Sequence, residues 1–355
     1  MAHRLTQRTS PWPRALPIWP RSGQVAAACN EPQRTAVDQP KLQHETSLAE
    51  RKEIPMSAPL RVLIAVDGSD TALSVARCWS AWQGGAMHPL AATLLAVAPP
   101  PPHPFPPPAF APGQVEQALV QWGTQLLEPA RTLFAGTALD WRALVRIGAP
   151  AAVIVDEAER GGADLLALGT RGINPLRGLM VGSVALRAAQ TSRVPVWLMA
   201  PQARQPSALG RRVRLLVAVD GSEPSRHAAA WAGRIASKLG EATIDLLSVR
   251  PAYSPLAGLR DAAAQPSDHW SQRIGEAAID AARQALAATT ARVDAAVRTG
   301  DTMIEISRRA DEVDADAIVI GPRGLGAVGQ ALLGSVSSGL LQTAARPVIV
   351  VPDGA

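Results

Sequence analysis

A chain that repeats itself must fold as copies of one unit, and this chain does so over nearly all of its regular length. The run Leu63–Ser69 returns within Leu215–Ser222. Gly148 returns as Gly300, Gly169 and Gly182 as Gly321 and Gly334, and Pro195-Val196 as Pro347-Val348. The offset is 152 or 153 residues throughout. One unit per copy follows, over residues 59–201 and 213–353, with a Pro-, Gln-, Arg- and Ser-rich linker at 202–212.

Each copy carries the same glycine pattern. Gly169-Thr170-Arg171-Gly172, nine residues and then Gly182-Ser183-Val184 match Gly321-Pro322-Arg323-Gly324, nine residues and then Gly334-Ser335-Val336. An apolar run precedes each loop, Leu165–Leu168 or Ala317–Ile320, and reads as a buried strand. The apolar run after each loop reads as a helix. A strand, a glycine loop and a helix start form an anion cradle, because the first N–H groups of the helix lack partners and its dipole favours negative charge. Glycine lets the backbone approach phosphate with no Cβ in the way, and it permits positive φ. A purely structural βα turn, with Ser183 and Ser335 as ordinary N-caps, explains one copy as well. Two copies at identical spacing favour nucleotide.

The spacing G-x2-G-x9-G-[S/T] resembles the ATP-binding signature of the universal stress protein family. With the two Asp-Gly-Ser strand ends and the duplication, the resemblance to tandem members covers about residues 59–353. It implies an α/β fold of two tandem, doubly wound, parallel five-stranded sheets, Rossmann-like, with strand order 3-2-1-4-5. It implies ATP, with magnesium, as the ligand. Asp67 and Asp220 then approach adenine and ribose. Ala65, Val97 and Leu168, and Ala218, Val249 and Ile320, wall the adenine. Gly169, Gly172, Gly182 and Ser183, and Gly321, Gly324, Gly334 and Ser335, hold ribose and phosphates. Arg171 and Arg323 lie inside the loops, where pairing with phosphate and simple exposure are equally open. For the aspartates alone, an Asx turn in Asp-Gly-Ser is the competing reading. Pro175 removes a backbone N–H from the first loop, so the second is closer to the family pattern. The last strands, 194–199 and 347–351, are expected to pair within the chain as a pseudo-dimer, with dimerisation of whole chains left open.

Apolar runs place strands near 62–66, 92–97, 140–147 and 194–199 of the first copy. Helices fall near 70–83, 114–135, 150–161 and 183–191. Ala72, Val75, Ala76 and Trp79 mark the inner face of the first helix. Val115, Leu119, Trp122 and Leu126 mark that of the second, which Pro129 is expected to bend. Residues 98–113 are more than half proline and read as an exposed polyproline-like loop.

Composition narrows the function further. Aromatics make up 4% of the chain, so Val, Leu, Ile and Ala should build the core. No apolar run reaches the ~18–20 residues of a membrane span. Residues 1–55 hold eight basic and five acidic side chains, which leaves +2 of the net +5 for the rest, so no nucleic-acid partner is indicated. The two cysteines, Cys29 and Cys78, cannot form a disulfide framework or a thiolate metal site, which suits a reducing cytoplasm. Cys78 reads as a small core residue. Residues 1–58 lack periodicity and read as a disordered leader, with Met56 as an alternative start.

No G-x4-G-K-[S/T] occurs, and Gly324-Leu325-Gly326-Ala327-Val328-Gly329 lies after the wrong strand for a dinucleotide fingerprint. No histidine recurs at equivalent positions of the two copies, so no positioned base for phosphoryl transfer is indicated. The expectation is a nucleotide-dependent stress regulator with slow or no turnover, its protein partner unidentified. An ATP-using enzyme of the same fold, and a nucleotide-free interaction module docking through residues 98–113, are the alternatives.

Overall fold

The computed structural model describes residues 58–85, 87–100, 113–172, 181–206, 209–210, 212–250, 268–286, 289–324 and 333–354. Expectations for residues 1–57, for most of the proline-rich segment and for Pro175 and its counterparts lie outside the described residues.

The first copy runs β1 (Leu60–Ala65), α1 (Asp70–Ser80), β2 (Leu90–Ala98), α2 (Gln114–Ala135), β3 (Asp140–Ile147), α3 (Pro150–Arg160), β4 (Leu165–Gly169), α4 (Ser183–Thr191) and β5 (Val196–Met199). The second runs β6 (Arg212–Ala218), α5 (Glu223–Ala236), β7 (Glu241–Arg250), α6 (Asp268–Ala285), β8 (Arg292–Thr299), α7 (Thr302–Glu312), β9 (Ala317–Ile320), α8 (Ser335–Thr343) and β10 (Val348–Val350). Strand order is β3-β2-β1-β4-β5 in one copy and β8-β7-β6-β9-β10 in the other, the same 3-2-1-4-5 path twice. Every pairing inside a copy is parallel.

The two sheets are continuous. β5 and β10 pair antiparallel, with Trp197 opposite Ile349, so ten strands form one sheet. All strands of one copy therefore point against all strands of the other. The carboxyl ends of the first five strands lie along one edge of the layer and those of the second five along the opposite edge. The copies are also tied outside the sheet. Lys238 Nζ donates to Asp164 Oδ1 at 2.8 Å. The segment read as a linker is bonded at both ends: Arg204 N donates to Ala345 O at 2.7 Å, and Gln83 N to Leu209 O at 2.8 Å.

Both faces of the sheet are covered, which is why its strands read as unbroken apolar runs. One face carries Leu60, Val62 and Ile64 of β1, Val217 of β6, Trp197 and Ile349, beneath α1, α2, α5 and α6. The other carries Leu63, Leu166, Leu216 and Ile318, beneath α3, α4, α7 and α8. Aliphatic side chains dominate as expected, but tryptophan has a larger place than its number suggests. Trp79 and Trp197 are among the largest fully buried side chains, with ring centroids 5.8 Å apart in an edge-on contact. Trp82 stacks on Trp79 at 6.0 Å.

Ala72, Val75, Ala76 and Trp79 are buried on α1 as read from the sequence. The face of α2 is shifted. Its buried residues are Gly123, Leu127, Ala130 and Phe134, while Val115, Leu119, Trp122 and Leu126 are only partly buried. The cause is Gly123, which apolar periodicity does not count. A Cβ there would lie 2.5 Å from Val145, so the helix approaches the sheet most closely at this glycine. Pro129 sits inside α2, and the helix continues through it.

Candidate functional site

The site is built from strand ends. β1 and β6 both lead into Asp-Gly-Ser, where the chain must turn sharply onto a helix. Ser69 N donates to Asp67 Oδ1 at 3.0 Å, and Ser222 N to Asp220 Oδ1 at 2.9 Å. These are Asx turns, and they require the left-handed backbone at the middle residue, with φ 81° at Gly68 and 88° at Gly221. Each serine then caps its helix: Ala72 N donates to Ser69 Oγ at 3.1 Å, and Ser225 N to Ser222 Oγ at 3.3 Å.

The Asx turn uses one oxygen of each aspartate. The other faces the glycine loop across the crevice between neighbouring strands, β1–β4 or β6–β9. A Cβ added to Gly172 would stand 2.5 Å from Asp67 Oδ2, and one on Gly324 2.6 Å from Asp220 Oδ2. The turn reading and the facing reading of these aspartates are thus both realised, each by a different oxygen.

The loop glycines serve proximity, and not the positive φ that the sequence suggested. None of Gly169, Gly172, Gly182, Gly321, Gly324 or Gly334 has positive φ. Gly169 abuts Thr71, and Gly321 abuts Pro224, at distances that a Cβ could not share. Nor are Ser183 and Ser335 the N-caps. Gly182 and Gly334 hold that position, with no side-chain cap bond, and each serine begins its helix with its side chain exposed. The first turns of α4 and α8 thus lack the side-chain acceptor that α1 and α5 possess.

In the second copy these features line one cavity of ≈ 460 Å³. Of the residues named from the sequence, Ala218, Asp220, Val249, Ile320, Gly321, Arg323, Gly324, Gly334, Ser335 and Val336 reach it, and Pro322 does not. Arg323 also pairs with Asp353. Val219, Ser225, Leu247, Arg250, Thr302, Ile306 and Ser337 line it as well and were not foreseen. Ile306 was legible through the repeat, since Ile154 holds the same place in α3. Arg250, Thr302 and Ser225 have unlike counterparts in Ala98, Pro150 and Ala72.

In the first copy, Ala65 and Leu168 are buried at their strand ends, and Val97 and Val184 pack against them from partly buried positions. Ser69 Oγ donates to Arg171 O at 3.4 Å, which ties the aspartate turn to the loop. Thr170 is buried, and its carbonyl accepts Gly182 N at 2.7 Å. Among the described residues no group of three or more His, Cys, Asp or Glu could hold a metal ion, and no helix is long and apolar enough to cross a membrane.

The molecule is thus a doubly wound α/β protein whose candidate sites lie beyond the strand ends, where strand order reverses. The sequence model of the Universal stress protein family matches residues 60–199 and again 212–352, and the chain belongs to that family with two domains in tandem. Universal stress protein YxiE from Bacillus subtilis (strain 168) is 29% identical over 86 residues, 24% of this chain. The chain spans 58% of the length of that curated relative. A universal stress protein from Archaeoglobus fulgidus DSM 4304 superposes with a TM-score of 0.58 at 18% identity, covering 83% of this chain and 98% of that one. A protein described as a putative universal stress protein from Pseudomonas aeruginosa UCBPP-PA14 gives a TM-score of 0.48 at 20% identity, covering 82% and 93%.

Proposed function

We propose that the chain is an ATP-binding regulator of the stress response that works in the cytoplasm by occupancy, with slow turnover or none. The observation that carries this reading is the cavity of the second copy, where Asp220, the glycine loop and the uncapped start of α8 converge on one space of ≈ 460 Å³. That volume suits a nucleotide. The residues also fit one chemically. Ala218, Leu247, Val249, Ile306 and Ile320 offer an apolar wall for a base. Asp220 offers an acceptor to ribose hydroxyls. Gly324 and Gly334 leave space beside the N–H groups of the α8 start for phosphates, with no Cβ in the way. Magnesium would be held by the phosphates and water, with Asp220 the carboxylate at hand. The nucleotide itself supplies the charge and the exchangeable phosphate chain that make occupancy a signal.

Purification of the full chain without added nucleotide, followed by heat denaturation and chromatography of what is released, tests the reading. Close to two equivalents of ATP per chain are expected. Absence of nucleotide, with none taken up on titration with magnesium and ATP, overturns it. ADP or AMP alone would favour an ATP-using enzyme.

A further inference from the structure

The two copies share the aspartate and the glycines of the site and differ in how the loop arginine is held. Arg323 lines the cavity of the second copy beside Gly324 and Gly334, at the end where α8 starts. Its guanidinium pairs with the carboxylate of Asp353, just beyond the end of β10. The backbone brings these two residues together, because Val351 N donates to Ile320 O at 2.9 Å and so leads the chain after β10 alongside the loop. The first copy follows the same path, with Thr170 N donating to Met199 O at 2.9 Å. Pro201 stands there in the place of Asp353, and Arg171 has no carboxylate partner among the described residues. The aspartate across the crevice, Asp67 or Asp220, is common to both copies and does not distinguish them. The loop of the first copy therefore keeps the charge of its arginine, and the loop of the second shares that charge with a carboxylate.

We propose that Asp353 is a selectivity residue of the second site: by neutralising Arg323 it lowers the affinity of that copy for highly charged nucleotides, so that the first copy is the preferred polyphosphate site of the pair. This rests on the nucleotide reading above. A guanidinium is a strong partner for phosphate, and one already held by a carboxylate must exchange partners or offer the phosphate a neutral pair. The loss grows with the charge that the ligand brings, since each added phosphate charge meets the same neutralised arginine. ATP feels it most, AMP less, and adenosine carries no phosphate to feel it. The side chains of Arg323 and Asp353 are 25% and 42% exposed, so water screens the pair and the effect is severalfold rather than many orders of magnitude.

The test is titration calorimetry of the full chain with ATP, AMP and adenosine, on the wild type, Asp353→Asn, Arg323→Ala and the double variant. Asp353→Asn should tighten ATP at one of two sites about threefold, tighten AMP less and leave adenosine unchanged. Such a gain is one that damage to the fold cannot imitate. Arg323→Ala should remove the effect, so that adding Asp353→Asn to it changes nothing further. Weaker ATP binding by Asp353→Asn would make the carboxylate a support that aims Arg323 at the phosphates, and would overturn the proposal. So would an unchanged isotherm in a chain that binds nucleotide, an equal gain for adenosine, or a gain that persists without Arg323. No binding of any of the three ligands to the wild type would overturn this proposal together with the reading beneath it.

Discussion

Asp220 and Gly324 face each other so closely that a single methyl group on the glycine would stand 2.6 Å from the carboxylate. The same holds for Asp67 and Gly172 at 2.5 Å. Each aspartate is anchored by its Asx turn and cannot simply withdraw. Gly324→Ala should therefore push Asp220 out of its position and lower ATP affinity of the second copy about tenfold, the effect of one lost charge-assisted hydrogen bond. Circular dichroism should be unchanged, because Gly324 has an ordinary backbone angle. Titration of Gly324→Ala beside Gly172→Ala would assign each phase of the binding curve to its copy.

Arg309 offers a stability prediction. It donates to Asp245 Oδ1 at 3.1 Å and to Oδ2 at 2.7 Å, and Asp245 is almost wholly buried. Arg309→Ala would strand that carboxylate and should cost about 3–5 kcal/mol. At the matching place in the first copy, Glu157 pairs outward with Arg146 at 2.6 Å, and Thr93 replaces the aspartate. Glu157→Ala should cost no more than about 1 kcal/mol. Urea unfolding of the two variants would show the difference directly, and equal costs would refute it.

Two neighbouring carboxylates should respond to pH with opposite signs. The hydrogen bond from Arg346 holds Asp314 below the ordinary carboxylate range, aided by the nearby charges of Arg204 and Arg346. Its stabilisation is present above the unfolded value and is lost as pH falls through the lowered folded one. Burial pushes Asp316 up, against the backbone bond from Arg214. That favours folding with the acid protonated, an advantage lost as pH rises through the raised value. Asp316→Asn should thus raise the melting temperature at neutral pH and converge with the wild type in acid. Asp314→Asn should lower it at neutral pH, with no new backbone strain, because Asn tolerates the φ of 51° found there.

Cys78 lies buried against Met199, and burial pushes its thiol up to about 12. It should stay protonated and unreactive wherever the chain is folded. In a Cys29→Ser chain, a thiol reagent should therefore label only on unfolding, at the unfolding rate. Rapid labelling of the native protein would contradict the packing of α1 on the sheet.

What could be read in the sequence, and what could not, follows from the repeat. Asp67, Gly169 and Gly182 stood out because each has a twin at a fixed distance, and the strands stood out because a sheet covered on both faces needs unbroken apolar runs. The face of α2 was misread because Gly123 packs through its lack of a side chain. The competing reading of Ser183 and Ser335 as N-caps fails by one residue, since Gly182 and Gly334 take the cap. Arg250 is hidden for the reason that makes the rest visible: comparison of two copies selects what they share, and its counterpart is Ala98. The polar layer around Asp245, Arg309 and Glu305 was hidden likewise, because Thr93, Glu157 and Val153 hold those places in the first copy.

The pairing of Val348–Val350 with Val196–Met199 has a consequence for assembly. A sheet edge is a template that invites a like strand, and two copies meeting through such an edge make an isologous contact, closed by its own symmetry. Here one chain supplies both partners of that contact, so neither edge remains to recruit another molecule. The strands left at the margins are β3 and β8, which carry Arg142 and Arg146, and Arg292 and Arg298. Arginine along a margin discourages strand addition. Joining two such chains through these strands would have to disturb the ion pairs that Arg146, Arg292 and Arg298 make with Glu157, Asp294 and Glu312, which makes the helical faces or the loops the surfaces where a larger assembly would begin.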